Sequence, residues 1–204
     1  MRKKTIAILM AAMLICGGAA GATMAWLTDA TPTITNTFTA GNVEIELSEE
    51  HPTDENKKHT AKMIPGSVIE KDPKVTVKQG SEPCYLFVKV SASQNYGEFF
   101  GAVSIAKGWT ELSSESGVYY RTCGVEDGTA QGTLEEDQSF YILAGDEQYP
   151  NGFVTVSSDV TKTDMDGLTE ANYPTLSFQA YAVQYENITG GPEAAWQQIP
   201  TENP

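Results

Sequence analysis

Short runs of alternating apolar and polar residues, broken at close intervals by Gly, Pro, Asn and Asp, constrain this chain more than any other feature. Val43-Glu-Ile-Glu-Leu47 alternates without a break and puts Val43, Ile45 and Leu47 on one face. Lys74-Val-Thr-Val-Lys78 repeats the pattern with Val75 and Val77, and Cys84 to Ala92 places Leu86, Val88, Val90 and Ala92 on one side. Successive side chains of a strand point to opposite faces, so a period of two marks a strand with one buried face. Val118–Cys123, Ser139–Leu143, Phe153–Val156 and Leu176–Tyr185 are further runs rich in β-branched and aromatic residues. In the last, Leu176, Phe178, Ala180 and Ala182 share a face. Turn-forming clusters separate the runs: Ile64-Pro-Gly66, Gly80 to Pro83, Gly124 to Gly132, Tyr149-Pro-Asn-Gly152 and Gly190-Gly-Pro192. Helical candidates are few. Glu193 to Gln198 follows a proline suited to a first turn, and a second lies near Tyr96 to Ile105. The pattern predicts an all-β fold, an antiparallel jelly-roll-like β-sandwich with short helices. No repeat of fixed period and no Pro-rich or Gly/Ser linker divides it.

The N-terminus reads differently. Arg2, Lys3 and Lys4 precede an apolar run from Ile6 to Ile15, and small residues dominate from Cys16 to Ala25. A basic head, a short apolar segment and a small-residue end are the parts of a secretory signal. Thr23 and Ala25 fit the −3 and −1 positions of the cut, which makes Trp26 the expected mature N-terminus. The alternative is an uncleaved anchor, since Thr5 to Leu27 is just long enough to span a bilayer. Ile15 stands before Cys16 where lipoprotein processing wants a small residue, and no apolar tail or sorting motif precedes Pro204. The expected organisation is a signal peptide over 1–25, an N-terminal segment over 26–48 and a sandwich domain over 49–204. A signal peptidase is then a partner during export, and the membrane is one only before processing.

Thirteen Lys and Arg against 27 Asp and Glu give a net charge of −14, which argues against a nucleic-acid partner, whose phosphates need clustered cations. Removing the signal leaves 10 against 27, or −17, and takes Cys16 away. Cys84 and Cys123 remain, as a disulfide that export permits or as two buried thiols. A bond closing a loop of that length adds about 3–4 kcal/mol in the chain-entropy picture. The charge is uneven: −3 over residues 26–107 and −14 over 108–204. It is open to three readings: solubility outside the cell, cation binding, or attraction to a less acidic face of another copy.

Three stretches resemble the TasA/camelysin group of exported proteins, whose signals are cut by a SipW-type peptidase. The first is Gly21-Ala-Thr-Met-Ala-Trp-Leu-Thr-Asp29 with Asn36-Thr-Phe-Thr-Ala-Gly-Asn-Val-Glu-Ile45, where Trp26-Leu-Thr-Asp29 departs slightly from the group's aromatic-x-Asp. The second is Met63-Ile-Pro-Gly-Ser67, then Lys71-Asp-Pro-Lys-Val75 and Tyr85-Leu-Phe-Val-Lys-Val90. The third is Ala180-Tyr-Ala-Val-Gln184 with Ala195-Trp196, and Gly108-Trp109 and Gly117-Val-Tyr-Tyr120 also fit. The resemblance implies a jelly-roll-like sandwich secreted to the cell surface or an extracellular biofilm matrix. It also implies head-to-tail self-association into fibres, in which the processed N-terminal segment completes the next subunit's sheet. The residues that carry this role here are Thr33, Ile34, Thr35, Phe38, Val43, Ile45 and Leu47. Folding back as the first strand of its own sheet is the alternative. Pro and Gly of Ile64-Pro-Gly-Ser67 suit a type II turn, and Pro73 suits a strand start or edge. Trp109, Trp196 and Tyr119–Tyr120 read as packing residues rather than ligand platforms.

Members of that group have been classed with metallopeptidases, but this chain has no HExxH. Its two histidines, His51 and His59, sit eight apart in a polar, Lys-containing stretch that is a poor frame for zinc. The acidic pairs Glu135–Asp137 and Asp146–Glu147 read as solvated loop charge rather than a glycosidase pair. Asp159, Asp164, Asp166 and Glu170 around Gly167 are weak calcium candidates with incomplete loop spacing. Asn187-Ile-Thr189 is a glycosylation triplet. No catalytic residue and no cofactor are expected. The reading is a secreted structural protein; the rivals are a monomeric module binding carbohydrate or a surface receptor, and a secreted hydrolase.

Overall fold

The computed structural model describes residues 42–49 and 62–199. The strands are β1 (Ile45–Ser48), β2 (Val68–Glu70), β3 (Lys74–Val77), β4 (Cys84–Ala92), β5 (Thr110–Glu111) and β6 (Val118–Cys123). They continue with β7 (Val125–Glu126), β8 (Thr129–Ala130), β9 (Gln138–Tyr141), β10 (Phe153–Thr155) and β11 (Leu176–Gln184). Three short helices accompany them among the described residues: α1 (Tyr96–Phe99), α2 (Lys162–Asp166) and α3 (Gly191–Trp196). All of these elements lie in one compact unit, Ala40–Pro204, which includes the described part of the 26–48 segment.

Two antiparallel sheets make the sandwich, one in the order β1-β3-β9 and the other β11-β4-β6-β5. Val75 and Val77 of β3 share a buried cluster with Cys84, Leu86 and Val88 of β4 and Cys123 of β6, closed by Leu134 and Ile142. Inward side chains from facing sheets therefore interdigitate, as the alternation requires. Two small pairs, β10-β2 and β7-β8, flank this frame.

β4 is buried on both sides, which alternation alone does not foretell. Its odd residues Tyr85 and Phe87 form a second cluster with Leu112, Val118 and Ala195 on the outer face, joined by Tyr120, Tyr181 and Trp196. Phe87 and Trp196 rings lie 5.3 Å apart, and Tyr181 meets Trp196 edge-on at 5.5 Å. The C-terminal helix α3 thus roofs a sheet face made of aromatic residues.

The expected runs Cys84–Ala92 and Val118–Cys123 coincide with β4 and β6, and Ile64-Pro-Gly-Ser67 forms its turn. There Ser67 N–H bonds the Ile64 carbonyl at 2.9 Å with Gly66 at φ 75°. Other boundaries move. β9 stops at Tyr141 because Pro73, opposite Ile142, accepts its N–H at 2.9 Å but has none to return, and Leu143 pairs instead with Ile105. α1 covers only the first four residues of the 96–105 stretch, since Phe100 is already extended. Gly124 to Gly132, expected as a turn, holds the hairpin β7–β8 around left-handed Asp127 and Gly128. α2 went unread although Thr161 and Asp164 form its capping box.

Candidate interaction edge

The two sheets end on the same side in β11 and β1, which pack across from one another. β11 pairs with β4 along all nine of its residues. The Ser93 N–H bond to the Thr175 carbonyl and the Tyr185 N–H bond to the Pro83 carbonyl fix the parity of that ladder. Odd residues of β11 turn their peptide groups to β4, so Leu176, Phe178, Ala180, Ala182 and Gln184 turn theirs outward. Among the described residues these outward groups have no ladder partner.

Natural edge strands are usually guarded by charge, Pro, brevity or a bulge. β11 has none of these: Leu-Ser-Phe-Gln-Ala-Tyr-Ala-Val-Gln carries no charged residue and no proline. β1 is short and guarded, with Glu46 ion-paired to Lys78 at 2.6 Å and Glu44 N–H bonded to Ser81 Oγ. The apolar side chains at this seam, Val43, Ile45 and Leu47 from one sheet and Phe178, Ala180 and Ala182 from the other, are only partly buried. At one end of the seam Lys71 Nζ pairs with Glu49 at 2.8 Å and stands 5.5 Å over the Phe178 ring.

The opposite side of the sandwich is plugged. The Arg121 guanidinium lies 3.5 Å over the Phe140 ring and 5.4 Å from Trp109, whose Nε1 donates to the Tyr141 carbonyl. Burial lowers the Arg121 pKa, and its Nε has no hydrogen-bond partner among the described residues. The stack of one cation on two aromatic faces fills the gap between sheets there. Among the described residues, the asymmetry leaves the β11 side as the accessible one.

The sequence-derived residues divide as follows. Val43, Ile45 and Leu47 pack against the chain's own core, with Ile45 and Leu47 in β1, opposite Val77 and Val75 of β3. Thr33, Ile34, Thr35 and Phe38, the cleavage positions Thr23, Ala25 and Trp26, and His51 and His59 lie outside the described residues. The calcium candidates are not assembled into a ligand set. Asp164 spends its carboxylate on Thr161, accepting from N–H at 2.8 Å and Oγ1 at 2.6 Å, which holds its pKa down. Asp166 pairs with Lys162, and no group of three or more His, Cys, Asp or Glu that could hold a metal occurs among the described residues. Asp137 accepts from Gln79 N–H, and Asp146 from the Gln148 and Tyr149 N–H groups, so both organise turns. Cys84 and Cys123 stand directly opposite in the β4–β6 register, both as buried free thiols. No described helix is long and apolar enough to cross a membrane.

The uncharged edge was missed in the sequence, although its signal is plain there: nine successive residues without charge in a chain one-fifth charged. No protein family, no characterised protein and no solved structure gives a significant match to this chain.

Proposed function

We propose that this protein is an exported structural subunit of the cell surface or extracellular matrix, TasA/camelysin-like, which polymerises when its processed N-terminal segment adds to an edge of the next copy. The observation that carries this reading is the unguarded nine-residue edge of β11. The donor is the stretch from Ala30 to Gly41, equally free of charge and rich in Thr. Neither strand carries a charged residue, and an added strand gains main-chain hydrogen bonds plus pockets for alternate side chains. At about 0.5–1.5 kcal/mol net per bond, the outward N–H and C=O groups of β11 offer up to roughly 5–15 kcal/mol, much of which offsets the entropy lost in ordering the donor. The half-buried apolar side chains of the seam supply the remainder by being covered. Before cleavage the donor is tethered to the membrane; the cut after Ala25 frees it.

N-terminal sequencing of the secreted product, with its size in solution, tests this. A product beginning at Trp26 that assembles, and that stays monomeric once residues 26–40 are deleted, is the expected outcome. Undiminished polymerisation of the deleted form defeats strand donation.

A further inference from the structure

The register of β4 and β6 sets Cys84 opposite Cys123, and the bond from Val90 N–H to the Gly117 carbonyl fixes which pairs in that ladder exchange hydrogen bonds. Counting back by twos, Cys84 and Cys123 form such a pair, where Cα atoms stand about 5.5 Å apart. That separation lies in the middle of the range a disulfide needs. Both side chains point into the inter-sheet core, with 0% and 1% of their surface exposed. The site is capped as well. Gly124, at φ 66°, lies so close to Pro83 and Leu134 that a Cβ there would come within 2.8 Å of Leu134 Cδ1. Leu134 is itself held over the pair by bonds between its backbone and Ser81 and Gly80.

We propose that Cys84 and Cys123 close a disulfide while the sandwich folds outside the cell, by exchange with an oxidised thiol compound, and that folding then seals the bond in the core. The proposal rests on the export reading for its oxidising setting and on the ladder for its pairing. One thiolate attacks a sulfur of the incoming disulfide and releases the first thiolate leaving group. The second cysteine, deprotonated, then attacks the mixed disulfide and releases the other. Two cysteine thiols are oxidised, one disulfide is reduced to two thiols, and the two cysteine protons pass to the leaving groups. Closure therefore precedes docking of Leu134 and Gly124, because the folded core admits no reagent.

The test uses the full chain carrying Cys16→Ser, refolded from the reduced, denatured state in a glutathione redox buffer and digested with trypsin. Peptide Gln79–Lys89 joined to Thr122–Lys162, with reduction by dithiothreitol at least about tenfold slower in the folded than the denatured protein, is the expected result. Free thiols at both positions after refolding overturn the pairing and leave export standing. A bond that forms on refolding, with the natural chain found only inside the cell and reduced, overturns export and closure there. A bond reduced equally fast in both states overturns the seal.

Discussion

Glu115 ties the roof of the aromatic face to the sheet beneath it. Its carboxylate accepts from Lys89 Nζ at 2.8 Å through one oxygen and from Trp196 Nε1 at 2.7 Å through the other. The Lys89 bond first, then the Trp196 bond, hold the Glu115 pKa below its ordinary value, and Glu115 raises that of Lys89. A depressed carboxyl contributes stability above its unfolded pKa, about 4.3, and loses it as pH falls through the folded value. Lys89 is the opposite case: its contribution is complete below about 10.4 and is lost as pH rises through the raised folded value. The tether on α3 thus holds across the neutral range. Glu115→Gln is expected to cost up to about 1 kcal/mol at pH 7, the range of partly exposed pairs. The difference from the parent should vanish once acid has protonated Glu115. Urea midpoints of both proteins at neutral and acid pH check this; an equal deficit at both removes charge from the explanation.

Strand by strand, the elements with a clean period of two were legible: Val75, Val77, Leu86 and Val88 are core residues as their spacing says, while Val90 is half-buried and Ala92, on the same face, is exposed. What was illegible was set by neighbours in space. Nothing in Tyr85-Leu-Phe87 tells that α3 will cover the odd residues, and nothing in Ile142-Leu143 tells that Leu143 will pair with Ile105 instead of β3. Strand order was likewise silent, so β11 was read as a strand without being recognised as an edge. The missing guard on β11 yields a direct prediction. Gln179 is exposed and faces away from the inter-sheet core, and the Ala180 N–H points outward, away from β4. Gln179→Lys with Ala180→Pro adds a charge and removes an outward donor while leaving the β4 ladder bonds in place. Assembly, followed by sedimentation, is expected to fall at least about tenfold with the monomer still folded by circular dichroism. Fibres that form at the parental rate move the accepting edge from β11 to β1.

The whole molecule sets its charge against its edge. With the proposed cleavage after Ala25 the chain carries −17 and repels its copies, and most of that charge lies beyond residue 107, on the half that contains β11. β11 itself is neutral, so attraction at the edge is short-ranged while repulsion reaches as far as salt allows. The Debye length shrinks from about 30 Å at 0.01 M to about 8 Å at 0.15 M. Screening then removes repulsion between approaching subunits without weakening an uncharged contact. Assembly of the processed chain should accelerate across that interval, with a shorter lag in light scattering and no change in the final fibre mass. If the acidic half were instead drawn to the less acidic half of the next copy, added salt would lengthen the lag. The sign of the salt effect thus separates contact through a neutral strand edge from contact through opposed surfaces.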